Sequence, residues 1–271
     1  MSLILAVALV AANGGEEGFW PEASFSWQDA PAAAPTAEEE KPEKMWLGRA
    51  WEGVFNAGLT ITSGNTNSKN ASADAKVVGR GEDDRWTFTA LYLSGRQEDP
   101  VTGDEFTSAR RIGGAAKYDY FFTKKWYGYG IVSAEKDGIR ELDLLFNAGV
   151  GTGYQWVEGE ERNLFTEVGV GFTSEEYEDE TNNEDYLSAR AALHYDEKIG
   201  KNATFFHDSA WLPSIESFND DQIVKTVTGI RAALAGNFSL EAKVLFDWDS
   251  SPASGLEGKD VTYIVGVSWT F

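Results

Sequence analysis

No cysteine occurs among the 271 residues, so neither a disulfide framework nor a thiolate metal site is open to this chain. Positive charge is also short: 23 Lys and Arg stand against 44 Asp and Glu, a formal net charge of −21. That balance excludes nucleic acid as a partner class, because phosphate binding relies on clustered cations and the sequence has no basic patch. Also missing is any run of the roughly 18 apolar residues that a membrane helix requires. Any membrane span must therefore be a strand. Proline is scarce at 7 residues, whereas Gly numbers 28 and aromatics make up 13%. Aromatics favour the pleated surface and Gly is a poor helix former, so the mix points to strands and tight turns.

The apolar run in "MSLILAVALVAA" covers residues 3–12 and gives way at once to "NGGEEG". It is too short to span a bilayer as a helix and fits the apolar core of a secretory signal peptide, expected at 1–12. Residues 13–47 include "PAAAPTAEEEKPEK", rich in Ala, Pro and Glu with no apolar period, and read as a flexible acidic segment. The remainder, 48–271, reads as one domain.

In that domain, segments with a period of two follow one another. In "LDLLFNAGVGTGYQW" Leu142, Leu144, Phe146, Ala148, Val150, Thr152, Tyr154 and Trp156 share one face, opposite Asp143, Leu145, Asn147, the glycines and Gln155. About twelve such segments start near Trp51, Lys69, Arg85, Ser108, Trp126, Leu142, Asn163, Tyr186, Ala203, Ile223, Leu240 and Val261. Short turns ("GEDD", "TKK", "EGEE", "KIGKN", "AGNF") follow the even strands. Longer loops follow the odd ones, with "SGNTNS" as the one short exception. An even number of strands with tight turns at one end and large loops at the other predicts an all-β fold, a transmembrane antiparallel up-and-down barrel. At the short-turn end Trp86, Tyr120, Trp126, Tyr154, Trp156 and Phe271 are expected to form an interfacial aromatic belt. In lipid every backbone polar group must be paired within the protein, so the last strand is expected to pair with the first.

The opening strand with "GLTITSGNTNS" (58–68), the following "KNASADAKV" and the terminal "WTF" resemble the family of bacterial salt-induced outer-membrane proteins, a domain of unknown function. The resemblance covers nearly all of 51–271. It implies a barrel in the cell outer membrane of a Gram-negative envelope with no established enzymatic activity. The terminal strand is similar to the signal read by the outer-membrane assembly machinery, at Gly266, Trp269 and Phe271, and departs from it at Ile264, where a polar residue is more usual.

With the apolar faces turned to lipid, the lumen is expected to receive Arg111, Lys117, Asp119, Asp143, Glu167, Arg190, His194, Lys225, Arg231, Glu241, Lys243 and Asp247. A barrel of twelve strands has a backbone radius of roughly 12 Å, so long side chains of both signs fit either a plug or a narrow polar channel. The acidic stretch "SEEYEDETNNED" suits divalent cations, shared with lipopolysaccharide at the cell surface, or a solvated self-repelling loop. His207 and Ser209 in "FFHDSAW" project from one strand face. Outer-membrane phospholipases and lipid A deacylases resemble this in carrying a His-x-Ser pair with an orienting Asn or Glu, which has no convincing counterpart here. The expected function is thus a non-catalytic structural or narrow-channel barrel without cofactor, in contact with outer-membrane lipid. A lipid-acting enzyme using His207 and Ser209, or a soluble ligand-binding barrel, are the alternatives.

Overall fold

The structure is a computed structural model that describes residues 45–46, 48–62, 67–99, 102–218 and 221–271. The expected signal peptide, nearly all of the acidic segment and the "SGNT" turn at 63–66 lie outside the described residues.

Twelve long strands follow in chain order: β1 (Arg49–Thr62), β2 (Ser68–Arg80), β3 (Asp84–Glu98), β4 (Glu105–Phe121), β5 (Trp126–Asp137), β6 (Leu142–Glu158), β7 (Arg162–Tyr177), β8 (Glu184–Ile199), β9 (Ala203–Pro213), β10 (Gln222–Ala235), β11 (Phe238–Asp249) and β12 (Lys259–Thr270). A two-residue strand, Met45–Trp46, pairs with the start of β1. Each strand is antiparallel to its sequence neighbours, and β12 pairs back onto β1, so the sheet closes as a twelve-stranded barrel. Among the described residues the only helix is a single 3-10 turn, Glu180–Asn182.

The strands run 11 to 17 residues, enough to cross a bilayer at the usual tilt of a barrel strand. All start within three residues of the positions read from periodicity. The connections differ somewhat from that reading. Tight turns occupy 81–83, 122–125, 159–161, 200–202 and 236–237, as expected. At the opposite end the β5–β6 connection, 138–141, is short as well, and the strands run on into segments that composition alone assigns to loops.

The period of two divides inside from outside, and the division is inverted relative to a protein in water. Outward-facing Val150, Val168, Val170 and Val265 are all more than half exposed, while Asp119, Glu167, Glu241 and Lys243 are buried. A contiguous apolar wall of this extent marks a surface that meets another apolar phase. The aromatic residues run around the short-turn rim in ring-to-ring contact: Trp86 with Tyr118 at 4.8 Å, Trp126 with Tyr154 at 4.9 Å, and Phe55 with Phe271 at 5.9 Å. Phe271 also donates its N–H to Gly53 O and accepts from Gly53 N–H. A Cβ on Gly53 would lie 2.5 Å from the Phe271 ring, so the ring lies over a slot that glycine leaves free.

Candidate functional site in the barrel lumen

The lumen holds the chemistry, because strand alternation sends nearly every buried charge there. Six consecutive strands, β3 to β8, build its short-turn half on one side. Arg85 of β3 donates to Asp119 of β4 at 2.7 Å and to Gln155 of β6 at 3.2 Å. Lys117 is paired with Asp119 at 2.7 Å and with Glu167 of β7. Glu167 accepts in addition from Arg190 and from the Tyr127 hydroxyl, each at 2.8 Å. Tyr127 and Tyr129 lie flat against a floor of glycines, since a Cβ on Gly151 would stand 2.6 Å from the Tyr129 hydroxyl. Burial of these carboxylates is sustained by the several cations and donors each one faces.

Across the barrel a second network joins β1, β2, β10 and β11. Asn56 donates to Glu241 at 2.7 Å, Arg231 reaches the same carboxylate at 2.7 Å, and Lys243 bridges Glu241 at 2.9 Å and Asp74 at 2.6 Å. His194 of β8 sits between Asp208, 2.6 Å from Nδ1, and Asp196, 3.1 Å from Nε2.

Nearer the long-loop end the pairs span the lumen. Arg111 of β4 makes a bidentate contact with Asp247 of β11, at 2.7 and 3.1 Å, and also holds Glu135 of β5 at 2.9 Å. Lys225 of β10 reaches Glu135 at 2.8 Å. The Arg111–Asp247 and Lys225–Glu135 bridges each link strands five positions apart around the ring, so a chord of paired charge crosses the interior. Above it, Arg140 from the β5–β6 connection holds Asp249 at 2.6 Å, and Ala253 of the β11–β12 loop is buried against Leu142, Leu145, Tyr177 and Ile223.

Eleven of the twelve lumen candidates thus face inward. Asp143 does not. A bulge between Leu142 and Leu144 inserts one extra residue in β6, which turns Leu142 inward and Asp143 outward to an exposed pair with Lys136. Sequence reading overlooked Glu135, Arg85, Tyr127 and Tyr129. Counting alternate residues from Trp126, an outward belt residue, puts Tyr127, Tyr129 and Glu135 on the inner face, so the signal was present. The lumen also contains an apolar layer: Leu93, Leu245 and Ile264 are buried together, with Leu91 and Val227 against them. Ile264, the position where a polar residue was expected, belongs to it.

His207 and Ser209 share the outer face of β9, as their spacing requires, but His207 Nδ1 contacts the Thr228 hydroxyl at 2.7 Å. The residues paired directly beside them, Tyr195, Leu193, Thr228 and Thr226, supply no carboxylate to orient the imidazole. In the acidic stretch, Glu175 is turned inward and accepts from the Tyr177 and Tyr186 hydroxyls at 2.8 and 2.7 Å. Asp179 caps the 3-10 turn, and its bonds from Thr181 hold its carboxyl below the usual range. Among the described residues no group of three or more His, Asp or Glu is placed to hold a metal ion.

The chain is similar to several known proteins. The curated relative YdiY of Escherichia coli (strain K12), an uncharacterized protein, is 24% identical over 234 residues, which is 84% of this chain and 81% of that protein. Among solved structures, the NanC porin aligns over 80% of this chain and 98% of its own, at 8% identity and a TM-score of 0.48. The translocator domain of the autotransporter NalP from Neisseria meningitidis aligns over 82% and 87%, at 13% identity and a TM-score of 0.43. The sequence model of the family described as "Protein of unknown function, DUF481" matches residues 55–271, and the chain belongs to that family.

Proposed function

We propose that this member of the DUF481 family is a non-catalytic barrel of the bacterial outer membrane whose lumen is closed along its axis, giving it a structural role or at most that of a narrow channel. The observation that supports the closed lumen is the chord of ion pairs from Arg111 to Asp247 and from Lys225 to Glu135. Buried charges held by several partners do not part to let a hydrated solute through without leaving a charge unpaired, which is strongly unfavourable. The membrane placement rests on the exposed apolar wall, the aromatic rim and the closure of the sheet, which together satisfy what a bilayer demands of a strand-built span. Contact with outer-membrane lipid and lipopolysaccharide, divalent cations at the exposed acids Glu178, Glu180, Glu184 and Asp185, and recognition of Gly266, Trp269 and Phe271 by the assembly machinery belong to the same proposal. So does a response to external salt, carried over from the sequence resemblance and tested by protein abundance across a range of external NaCl.

The deciding experiment is planar-bilayer conductance of the purified barrel. Wild type is expected to pass little or no steady current, and Arg111→Ala combined with Lys225→Ala to pass more. A large, steady, ohmic conductance in wild type would overturn the closed-lumen reading.

A further inference from the structure

One stretch of the barrel wall is not sewn shut. The β1–β12 ladder comprises four residue pairs, Ala57 with Val267 through Val54 with Thr270, prolonged toward the short-turn end by the Gly53–Phe271 bonds. Among the twelve long strands the next shortest ladder, β8 with β9, has nine pairs. Above Ala57, β1 continues through Thr62 bonded to β2, and above Val267, β12 extends back to Lys259 bonded to β11. Among the described residues these two stretches make no ladder with each other. At its base the seam is still tight, since a Cβ on Gly58 would lie 2.8 Å from Val265 O. Beyond that point two strand edges face one another in the half of the wall nearest the long loops.

The outer face of this gap is apolar, while its inner face mixes Gly58 and Thr60 of β1 with Ile264, Thr262 and Asp260 of β12. On the outer face stand Tyr263, 77% exposed, Leu59, 70%, Ile61 and Val265. Directly behind the seam lies the lumenal layer of Leu93, Leu245 and Ile264, and Ile264 is carried by β12 itself. That layer is closed along the barrel axis by ion pairs made on the same strand. Two residues below Leu245, Lys243 is tied to Asp74, and two residues above it, Asp247 is tied to Arg111. On the seam itself β12 carries the pair of Asp260 with Arg140, at 3.5 Å, four residues from Ile264 toward the long-loop end. The apolar outer face and the lumenal apolar layer thus approach each other at this seam, where two strand edges make no ladder with each other. At the long-loop end of the same seam is the exposed ammonium of Lys259.

We propose that this seam binds one phospholipid of the surrounding membrane, whose acyl chain enters between β1 and β12 and lies on the Leu93, Leu245 and Ile264 layer. The proposal rests on the membrane reading above. A bare strand edge in lipid is costly because its N–H and C=O groups lack partners. The ester and phosphate groups of a lipid at the headgroup level supply acceptors for those N–H groups, Lys259 faces the phosphate, and the chain meets the apolar layer of Leu93, Leu245 and Ile264. A second copy of the protein, pairing edge to edge, is the other occupant such a seam could take. Its polar ladder would leave the lumenal apolar layer unused.

The test uses wild-type protein folded into phosphatidylcholine vesicles doped with a phosphatidylcholine that carries a diazirine on its acyl chain. After illumination, adducts are mapped by peptide mass spectrometry. Adducts are expected on the outward residues Leu59, Tyr263 and Val265 and also on inward Leu93, Leu245 or Ile264. Outward labelling with a clean lumenal layer overturns the lipid site while leaving the membrane reading intact. Loss of labelling on the outer wall as well, at Val150 and Val170, would overturn the membrane reading instead. In parallel, Ile61→Cys is oxidised in plain vesicles. With no native cysteine, a disulfide-linked dimer reports edge-to-edge pairing and overturns the lipid site; a monomer supports it.

Discussion

Arg111→Met isolates the strongest of the lumen-spanning contacts. Arg111 is buried, binds Asp247 through both terminal guanidinium nitrogens and shares Glu135 with Lys225. Removing it leaves Glu135 with Lys225 but strips Asp247, itself buried, of the partner that holds it. Breaking a buried pair from one side typically costs about 3–5 kcal/mol, because the surviving charge remains desolvated. With a urea dependence of about 2 kcal/mol per M, that is a fall of roughly 1.5–2.5 M in the unfolding midpoint. The midpoint is read from tryptophan emission of the barrel in detergent micelles, with heat-modifiable gel migration confirming that each variant has folded. Arg111→Met combined with Asp247→Leu removes both charges and should recover most of the loss, since a buried pair can be exchanged for apolar groups at little net cost. A shift within about 0.5 kcal/mol for the single variant, the scatter of ordinary surface changes, would refute the reasoning. It would mean that water reaches Asp247, and a lumen wet at that level is not closed.

Three further expectations follow from the fold. Val150 stands outward near the middle of β6, so Val150→Arg should destabilise the barrel by about 2–4 kcal/mol in vesicles, measured by folding yield and urea midpoint; an effect near zero would argue for a wall facing water. Phe271→Ala should lower the efficiency of outer-membrane insertion in cells and loosen the β1–β12 closure, because the ring that covers Gly53 and stacks on Phe55 and Trp269 is lost; normal insertion, scored by surface protease resistance, would count against the assembly-signal proposal. Ser209→Ala should leave any phospholipase signal of the purified protein unchanged, because the neighbouring strands offer His207 no orienting carboxylate, and a loss of activity on that substitution would reopen the enzyme reading.

The barrel is legible in the sequence because a period of two, sustained over a dozen segments, suits no regular structure but the strand, and because backbone pairing in lipid compels the sheet to close. Each inward charge can be assigned by parity for the same reason, and parity fails where the backbone breaks it. Asp143 lies beside a bulge, which depends on how β6 must bend to meet β7 and leaves no mark in the alternation of residue types. Glu135 and Tyr127 escape notice on different grounds: the weight given to Trp126 as a belt residue hides the inward face of the same strand. Which cation meets which carboxylate is beyond sequence reading altogether. The partner of Arg111 is 136 residues away, and only the closed ring with its register brings β4 opposite β11. The short ladder at the seam is likewise a matter of register.

That separation along the chain also bears on how long the folded barrel lasts. Arg111 with Asp247, and Lys225 with Glu135, join residues from distant hairpins, so neither contact can form until almost every intervening hairpin is in place. Contacts of such high sequence separation add little to the rate-limiting step of assembly, and what forms after that step acts on the way out. The chord across the lumen therefore works as a late-closing clasp, setting the rate at which the finished barrel comes apart while leaving the pace of its assembly to the wall.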